Sequence, residues 1–475
     1  MSRRAKIVCT LGPASDSPEQ VARLVAAGMD VARLNMSHGT HAQHLAAYQA
    51  VRSACDKTGH SVGVLVDLQG PKIRLGTFPS GPVILRPGDE FTITGEDIPG
   101  NAAEAATTYP ELAADVKAGD QILVDDGRIL LEVTGVDGVR VRTRVRVGGQ
   151  VSDHKGLNIP GARLSVPALS DKDEQDLRWA LELRADMIAL SFVRGPDDAA
   201  PVRKIMDEMG ARLPLIAKIE KPQAVDALPE ILEAFDGLMV ARGDLGVELP
   251  LEQVPMVQKR AVSLAKDKAK PVIVATQMLE SMISAPRPTR AEASDVANAV
   301  LDGADALMLS AETSVGAYPT ETVATMAKII LAAERECLQA APSLTRVPTT
   351  TGGAIARAAA EVGAITGASA LAAFTMSGET ARRLARYRSP IPLLAFTPLP
   401  ETRSQLALTW GVETFIVPPV VHTDDMVKQV ETALLDIGRS WPGDKIVIVA
   451  GSPPGTPGKT NALRVHRIGD AIGSR

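Results

Sequence analysis

Residues 5–37, AKIVCTLGPASDSPEQVARLVAAGMDVARLNMS, contain the pattern that decides the fold of this chain. Two short apolar runs, AKIVCTLG and MDVARLNMS, end abruptly in polar residues, and the segment from Pro18 to Ala27 between them has helical spacing. Short apolar runs bounded by turn residues are typical of buried strands. A strand, a helix and another buried strand in succession predict parallel strands joined by crossover helices.

The same kind of apolar run recurs in two separated stretches of the chain. The other six runs are VGVLVDLQ, DMIALSFV, PLIAKIE, FDGLMVARGD, KPVIVATQ and ADALMLSAET, and a second helical segment spans Lys172 to Leu183. About eight such units close a (β/α)₈ TIM barrel, whose chemistry lies at the carboxyl ends of its strands. We therefore expect an α/β fold built on this barrel, and an open doubly wound sheet is the alternative.

The pattern changes between the third and fourth runs. From about Lys72 to Val166 apolar and polar residues alternate, as in VRVRTRVRV, and Asp126-Gly127 and Asp137-Gly138 are hairpin turn signals. This alternation predicts a small β-barrel domain inserted at the catalytic rim, where insertions commonly act as lids.

A further domain is predicted after about Ala341. Gly352-Gly353 and a helix are followed by four apolar runs, SALAAFTMSG, IPLLAFTP, VETFIVPP and DKIVIVAG, which predict an α/β domain with a mainly parallel sheet. The predicted boundaries are barrel 1–70, lid 71–166, barrel 167–340 and C-terminal domain 341–475.

Composition restricts the function classes. The chain has 475 residues, 45% of them hydrophobic and 23% charged, which is ordinary globular composition and matches about three domains of roughly 150 residues. The formal net charge is −5, so no basic excess indicates nucleic-acid binding. Three widely spaced cysteines, Cys9, Cys55 and Cys337, indicate a reducing compartment. No apolar run reaches the ~18 residues of a membrane span, so we expect a cytoplasmic protein.

The strongest group of candidate residues follows the fifth and sixth runs. Lys218 and Glu220 lie in AKIEKP, and Asp244 lies in VARGDLG. Two carboxylates and an ammonium on neighbouring strand ends suit Mg²⁺ beside an anionic substrate. Lys218 would neutralise charge that develops during group transfer. A surface ion pair is the alternative for any one of these residues alone.

Other polar residues follow the second and third runs. Arg33 and Arg74 suit forked contacts with phosphate or carboxylate, although either could instead cap a helix or pair with an acid. Asn35, Ser37 and Asp67 could bind a monovalent cation or satisfy local backbone groups.

Two more strand-end residues have open interpretations. Thr276, after VIVA, could donate to a substrate oxygen or relay a proton. His38 could contact a phosphate or be structural.

Two loops of the C-terminal domain suggest anion binding. GSPPGTPGKT fails as a Walker loop because Pro453 occupies the position of the required first glycine, which leaves another kind of phosphate loop or a plain turn. In TMSGET, Thr375 to Thr380 follow a strand and open a helix, which suits an anion site or a simple helix cap.

Four long strings resemble signatures of the pyruvate kinase family, and the resemblance runs across the whole chain. They are RLNMSHGTH, MVARGDLGVELP, ATQMLESM and RPTRAEASDVANAVLDGADALMLSAET. The family's barrel, inserted lid and C-terminal effector domain match the three predicted regions. The resemblance implies transfer of the phosphoryl group of phosphoenolpyruvate to ADP, giving pyruvate and ATP in the last step of glycolysis. It also implies a homotetramer.

The resemblance also implies roles for individual residues. Glu220 and Asp244 would hold the essential Mg²⁺, for which Mn²⁺ can substitute. Lys218 would stabilise the transferring phosphoryl group, and Arg33 would help to hold it. Thr276 and the backbone around Gly243 would place the carboxylate and enolate, with Thr276 near the path of the proton. The residues implied on the nucleotide side are Asn35, Met36, Ser37, His38, Arg74 and Lys155.

The chain departs from the common family pattern at Lys72. Many members have Asp-Thr-Lys-Gly-Pro-Glu and require K⁺, whereas this chain has Asp67-Leu68-Gln69-Gly70-Pro71-Lys72. It is similar to the subset in which a lysine ammonium replaces the cation, because a fixed positive charge supplies the same field and repels a second cation. We therefore expect activity without K⁺, which puts Asn35, Ser37 and Asp67 in doubt as K⁺ ligands.

The predicted effector loop departs as well. Members activated by fructose 1,6-bisphosphate have a Thr-Lys-Ser-Gly-Arg-like loop, and here Met376 and Glu379 replace the basic positions. The remaining candidates are Thr375, Ser377, Gly378 and Thr380. One phosphate suits them better than two beside Glu379, so a sugar monophosphate or AMP is the expected allosteric activator.

Two rival functions are consistent with parts of the sequence. Metal-dependent 2-oxoacid aldolases share the barrel and the Mg²⁺ carboxylates but lack the lid and the effector domain. A non-catalytic sugar-phosphate or nucleotide sensor would not need Lys218, Glu220, Asp244 and Thr276 all intact.

Overall fold

The first part of the chain supplies three strands of a barrel. The computed structural model describes residues 3–162, 165–337, 347–455 and 458–470. Its first elements are β1 (Lys6–Thr10), α1 (Pro18–Ala27), β2 (Val31–Asn35), α2 (His41–Thr58) and β3 (Gly63–Asp67). Helix α1 has the predicted bounds because the Ser17 side chain caps the backbone N–H of Gln20 and Gly28, at φ 122°, ends the helix.

The inserted segment between β3 and the fourth barrel strand is a β domain. Its elements are β4 (Val83–Leu85), β5 (Glu90–Thr94), β6 (Glu104–Ala106), α3 (Leu112–Asp115), β7 (Gln121–Val124), β8 (Ile129–Asp137), β9 (Arg140–Val147), β10 (Gly149–Val151) and β11 (Leu157–Asn158). A six-stranded sheet, β11-β7-β8-β9-β5-β6, and a two-stranded ribbon, β10-β4, enclose one apolar core. The predicted turns at Asp126-Gly127 and Asp137-Gly138 join β7 to β8 and β8 to β9.

The chain then returns to the barrel. The elements of this part are α4 (Asp171–Glu182), β12 (Met187–Leu190), α5 (Ala199–Glu208), β13 (Leu215–Ile219), α6 (Pro222–Asp226), α7 (Leu228–Ala234), β14 (Gly237–Ala241), α8 (Arg242–Glu248), α9 (Val254–Asp267), β15 (Val272–Ala275), α10 (Arg290–Asp302), β16 (Ala306–Leu309), α11 (Ala311–Ser314) and α12 (Pro319–Cys337). The eight strands pair in parallel, and β16 pairs with β1 to close the ring. The predicted barrel is confirmed, and closure excludes the open sheet.

Strand alternation divides the barrel residues between two cores. Outward residues such as Ala217 pack against the surrounding helices, whereas inward residues such as Val8, Leu65 and Ile216 form a separate layer in the barrel interior. The inward positions two residues further along each strand therefore lie nearer its carboxyl end, above this apolar layer.

The C-terminal domain is a second α/β unit. Its elements are α13 (Thr351–Thr366), β17 (Ala370–Phe374), α14 (Glu379–Ala385), β18 (Leu393–Thr397), α15 (Pro400–Gln405), β19 (Val412–Ile416), α16 (Thr423–Asp436), β20 (Lys445–Ala450) and β21 (Ala462–Arg467). The sheet order is β19-β18-β17-β20-β21, and only the β20–β21 pair is antiparallel, as the four apolar runs predict. Ala407 and Leu408 pack against the interior layer of the barrel.

The expectations about membrane spans and cysteines can be compared with the structure only for the described residues. Among these residues, no helix is long and apolar enough to cross a membrane. Cys9 and Cys55 are free thiols, whereas the side chain of Cys337 and the predicted boundary at 340/341 lie outside the described residues.

Candidate active site

Four polar side chains form a layer directly above the apolar interior of the barrel. Thr10, Arg33, Asp67 and Lys218 each lie two residues after an inward apolar residue, on β1, β2, β3 and β13. Because side chains alternate along a strand, all four face the barrel axis at its carboxyl end. Strand periodicity therefore concentrates these polar groups in one small region.

Asp67 is the centre of this layer. Its Oδ2 accepts hydrogen bonds from Arg33 Nε and Nη2, both at 2.7 Å, and its Oδ1 lies 3.3 Å from Lys218 Nζ. Burial alone would raise the pKa of Asp67, but the charges of Lys218 and Arg33 outweigh burial and lower it. Asp67 is therefore an ionised carboxylate that holds two cations in the barrel mouth.

Lys218 is held from three sides. Its Nζ donates to Ser191 Oγ at 2.7 Å and lies 3.0 Å from Glu220 Oε1. Burial would lower the pKa of Lys218, but Asp67 and Glu220 outweigh burial and raise it. The ammonium is therefore charged, fixed in position and only 12% exposed, as a group that stabilises a transferring anion needs to be.

Glu220 and Asp244 provide a donor set for a divalent cation. Glu220 is buried, and its Oε2 accepts the backbone N–H of Phe192 at 2.8 Å. Burial raises the pKa of Glu220, Lys218 opposes this effect, and the nearby negative charge of Asp244 adds to it. A bound cation would favour the ionised form of Glu220 against the effect of burial.

The donor chemistry fits Mg²⁺. No group of three or more His, Cys, Asp or Glu side chains placed to hold a metal occurs among the described residues. Mg²⁺ usually takes only one or two protein carboxylates and completes its shell with water and substrate oxygens. The pair Glu220 and Asp244 meets that requirement.

Thr276 and Gly243 are brought into contact across two neighbouring strand ends. The backbone N–H of Gly243 donates to Thr276 Oγ1 at 2.7 Å, and Thr276 Oγ1 donates to the carbonyl of Ala275 at 2.6 Å. Thr276 has φ 69°, a left-handed backbone that costs a β-branched residue about 1–3 kcal/mol. Arg242 holds this turn by donating to the carbonyl of Thr276 at 2.8 Å.

The loop after β2 is fixed by its own backbone and by two neighbouring helices. Asn35 Oδ1 accepts the backbone N–H of Ser37 at 3.2 Å. The carbonyl of Met36 accepts from Lys172 Nζ at 2.7 Å, and His44 Nε2 contacts the carbonyl of His38 at 2.8 Å. The predicted residues Asn35 to His38 therefore lie together at the barrel mouth in one ordered turn.

Two of the predicted basic residues lie in the lid. Arg74 forms an isolated bridge with Gly156, next to Lys155, whose Nζ makes an ion pair with Asp125 at 2.8 Å. These residues therefore share one edge of the lid and do not form part of the buried layer around Asp67.

Lys72 lies on the wall of a cleft between lid and barrel. The cleft is lined by both domains, with Lys72 and Asn158 on the lid side and Lys221 and Asp244 on the barrel side. Lys72 is exposed on this wall of the cleft.

The predicted effector residues surround a small depression in the C-terminal domain. Thr375, Ser377 and Thr380 line it, whereas Gly378 does not. The opposite wall is formed by residues of the GSPPGTPGKT loop, among them Gly451, Gly455 and Lys459; Thr456 and Pro457 of this loop are not described. Glu379 makes an ion pair with Arg383, which compensates its negative charge. Repulsion between Glu379 and a second phosphate is therefore weaker than the sequence alone suggests.

Sequence reasoning missed several groups that support the site. Ser191, which directly follows β12, accepts from Lys218 and donates to the carbonyl of Leu68 at 2.7 Å. Thr10 accepts from Arg33 Nη1 at 3.0 Å. Both residues lie at strand ends, so the rule that identified Lys218 could have identified them. The contacts of Glu248, described below, had no such signal.

Comparisons with known proteins agree with this geometry. A family model described as "Pyruvate kinase, barrel domain" matches residues 2–323, and another described as "Pyruvate kinase, alpha/beta domain" matches residues 353–466. The pyruvate kinase of Mycobacterium intracellulare is 59% identical over 470 residues and that of Corynebacterium glutamicum 57%, covering 99% of this chain in both cases and 99% and 98% of the relatives. A solved pyruvate kinase from Cryptosporidium parvum superposes with a TM-score of 0.91 at 34% identity, covering 98% of this chain and 96% of that one. The chain therefore belongs to the pyruvate kinase family of phosphotransferases.

Proposed function

We propose that this chain transfers the phosphoryl group of phosphoenolpyruvate to ADP and so produces pyruvate and ATP in the last step of glycolysis. The observation that carries the proposal is the buried ammonium of Lys218 between Asp67 and Glu220, with Asp244 on the next strand end. Phosphoryl transfer requires mainly positioning and neutralisation of charge, and this arrangement supplies both.

Phosphoenolpyruvate would bind at the barrel mouth. Its phosphate would lie against Lys218 and Arg33, the two cations that Asp67 orients. Its carboxylate would take the hydrogen-bond donors of Gly243 and Thr276, which now donate to Thr276 Oγ1 and to the carbonyl of Ala275. Thr276 would then lie next to the enolate carbon that accepts a proton when pyruvate forms.

Glu220 and Asp244 would hold Mg²⁺, or Mn²⁺ in its place. When bound, the ion would neutralise negative charge on the transferring phosphoryl group. Lys218, whose Nζ lies 3.0 Å from Glu220 Oε1, would stabilise the same phosphoryl group.

ADP would bind between the barrel and the lid. The turn from Asn35 to His38 would contribute from the barrel, and Arg74 and Lys155 from the lid. Lys155 would have to exchange its ion pair with Asp125 for a phosphate of the nucleotide.

We propose further that Lys72 makes K⁺ unnecessary. Lys72 lines the same cleft as Asp244, so it would add a positive charge to the site without a bound ion. Asp67, one of the inherited K⁺ ligands, is already paired with two fixed cations, Arg33 and Lys218, whose charges would repel a further monovalent cation.

Pyruvate formation from phosphoenolpyruvate and ADP tests both proposals. We expect turnover that requires Mg²⁺ and changes less than tenfold when tetramethylammonium replaces K⁺. A larger loss without K⁺ would contradict the role of Lys72 and return Asn35, Ser37 and Asp67 to the list of metal ligands. Absence of turnover in every buffer would favour an aldolase or a sensor.

The C-terminal domain is proposed to bind an allosteric activator with one phosphate, such as a sugar monophosphate or AMP. Thr375, Ser377, Gly378 and Thr380 would form the site opposite Lys459. Ser377 also lines a cavity of about 570 Å³ at the amino end of the barrel. The wall of this cavity carries more basic than acidic side chains: Arg212, Lys268, Lys270, Arg382, Arg383 and Arg386 against Asp236, Asp267 and Glu379.

Titration of these compounds at sub-saturating phosphoenolpyruvate tests the activator. We expect at least one of them to raise the rate, whereas a flat response to all would leave the domain with a structural role. We also propose that the protein is a cytoplasmic homotetramer, and sedimentation would test the oligomeric state. The proposed domain boundaries lie at 70/71, 166/167 and 340/341, and limited proteolysis would test them.

A further inference from the structure

Helix α8 carries two acidic residues one turn apart, and only the first belongs to the proposed metal site. Asp244 faces the cleft, and Glu248 lies four residues later at the end of the helix. The side chain of Glu248 is 1% exposed. A buried carboxylate is retained only where strong partners compensate its lost hydration, so its contacts indicate its role.

Both partners of Glu248 converge on one oxygen. Lys221 Nζ lies 2.5 Å from Oε1, and Asn158 Nδ2 donates to the same atom at 3.0 Å. The three side chains thus form a small buried cluster, which we call the Glu248 cluster, between the barrel and the lid.

Each member of the Glu248 cluster is attached to a different functional element. Glu248 shares α8 with Asp244, and Lys221 directly follows Glu220. Asn158 belongs to β11 of the lid, which pairs with β7 next to the Asp126-Gly127 turn. The cluster therefore links the two proposed metal carboxylates to each other and to the lid.

The link on the barrel side has little freedom. Phe192 donates its backbone N–H to Glu220, and its ring lies 5.6 Å from Lys221 Nζ in a cation–π arrangement. The ammonium of Lys221 is thus held between this ring and Glu248. Any movement of α8 away from β13 would break the ion pair and leave a buried charge without a partner.

We propose that Glu248 is a positioning residue that sets the separation of Glu220 and Asp244 and couples it to the lid through Asn158. The proposal rests on the proposed function of Glu220 and Asp244 as the metal ligands. Supporting groups that orient metal ligands typically change metal affinity by about 10–100-fold when they are removed.

The test is the affinity of the free enzyme for Mn²⁺, measured by electron paramagnetic resonance in the absence of substrates. Lys221→Met is the decisive variant. Through charge alone, loss of a cation near two carboxylates would tighten Mn²⁺ binding. If Lys221 acts by holding α8 through Glu248, the same substitution weakens binding by about tenfold or more.

Glu248→Gln and a control variant complete the test of the contact between Glu248 and Lys221. Glu248→Gln keeps the acceptor oxygen but removes the charge that holds Lys221, so we expect weaker Mn²⁺ binding than in the wild type. The control is Glu132→Gln on the lid surface, where the ion pair with Arg146 is half exposed, and Mn²⁺ binding should be unchanged there. Circular dichroism and sedimentation verify that each variant is folded.

Asn158→Ala tests the contact between the lid and Glu248. We expect the Mn²⁺ affinity to stay within twofold of the wild type while the KM for ADP rises at least threefold and kcat changes less. An unchanged KM for ADP would overturn the coupling to the lid.

The outcomes separate the two proposals. Wild-type protein that fails to bind Mn²⁺ would contradict the proposed metal site itself. Wild-type protein that binds Mn²⁺, together with a Lys221→Met variant that binds it equally or more tightly, would overturn the positioning role of Glu248 and leave the metal site intact.

Discussion

The two ends of the barrel use acidic residues in opposite ways. At the amino end, four strands are each directly preceded by an aspartate whose side chain accepts a backbone N–H from a neighbouring strand. These residues are Asp30, Asp186, Asp236 and Asp305. The four donors are Ile7, Val64, Leu215 and Val272, at 2.7, 2.7, 2.9 and 3.2 Å. Each aspartate also makes an ion pair with an arginine. The pairs are Asp30–Arg3, Asp186–Arg52, Asp236–Arg203 and Asp305–Arg388.

The carboxyl end has no such repeat in the described structure. Asp67 pairs with Arg33 and Lys218, and Glu220 pairs with Lys218. Burial raises the pKa of Glu220, Lys218 opposes this effect, and the nearby charge of Asp244 adds to it. The difference teaches that the carboxylates at the amino end stabilise the ring through backbone and arginine, whereas Asp67 and Glu220 hold the cation Lys218 at the end of the barrel that carries the chemistry.

Lys218→Met gives the largest expected effect and tests the carboxyl end. Loss of the ammonium removes one preorganised charge from the site of phosphoryl transfer, so kcat should fall by at least roughly 10²–10³. Steady-state kinetics checks the change, and circular dichroism should show that the fold survives. The matched control is Lys204→Met on the exposed face of α5, and near-normal turnover of Lys218→Met would remove this residue from its role.

Lys72→Glu gives an intermediate effect at the same end. The substitution replaces a fixed cation in the cleft with an anion, so activity in K⁺-free buffer should fall at least about tenfold and recover when K⁺ is added. Lys117→Glu makes the same charge change on an exposed lid loop and should show neither effect. A Lys72→Glu variant indifferent to K⁺ would contradict the proposed substitution of ammonium for cation.

Asp186→Ala gives the smallest effect on catalysis and tests the amino end. It leaves the buried N–H of Val64 and the guanidinium of Arg52 without their partner, which costs about 3 kcal/mol and lowers the Tm by roughly 5 °C or more. The kcat of the folded enzyme should remain within twofold of the wild type. Scanning calorimetry should distinguish it from Asp207→Ala, which removes an exposed ion pair with Arg212. A large loss of kcat at unchanged Tm would contradict the division between the two ends.

Much of the fold could be predicted because its signals are local. Each barrel strand is a short apolar run, and the hairpin turns and helix caps are defined by a few neighbouring residues, such as Ser17 and Gly28 around α1. Lys218, Glu220 and Asp244 could be identified for the same reason, since each lies within three residues of a strand end. The shape of the lid, with one six-stranded sheet and a two-stranded ribbon, required pairings that alternation alone does not specify.

The sequence by itself determined the order of the strands, the residues that face inward and the family to which the chain belongs. Only the tertiary structure decided which polar residues meet. Asp67 reaches Lys218 because β12 alone separates β3 from β13 in the closed ring, although 151 positions separate the two residues along the chain. Glu248 meets Asn158 only because the lid folds back over α8. Periodicity acts over a few residues, whereas these contacts depend on ring closure and domain packing, and no local pattern encodes either of them.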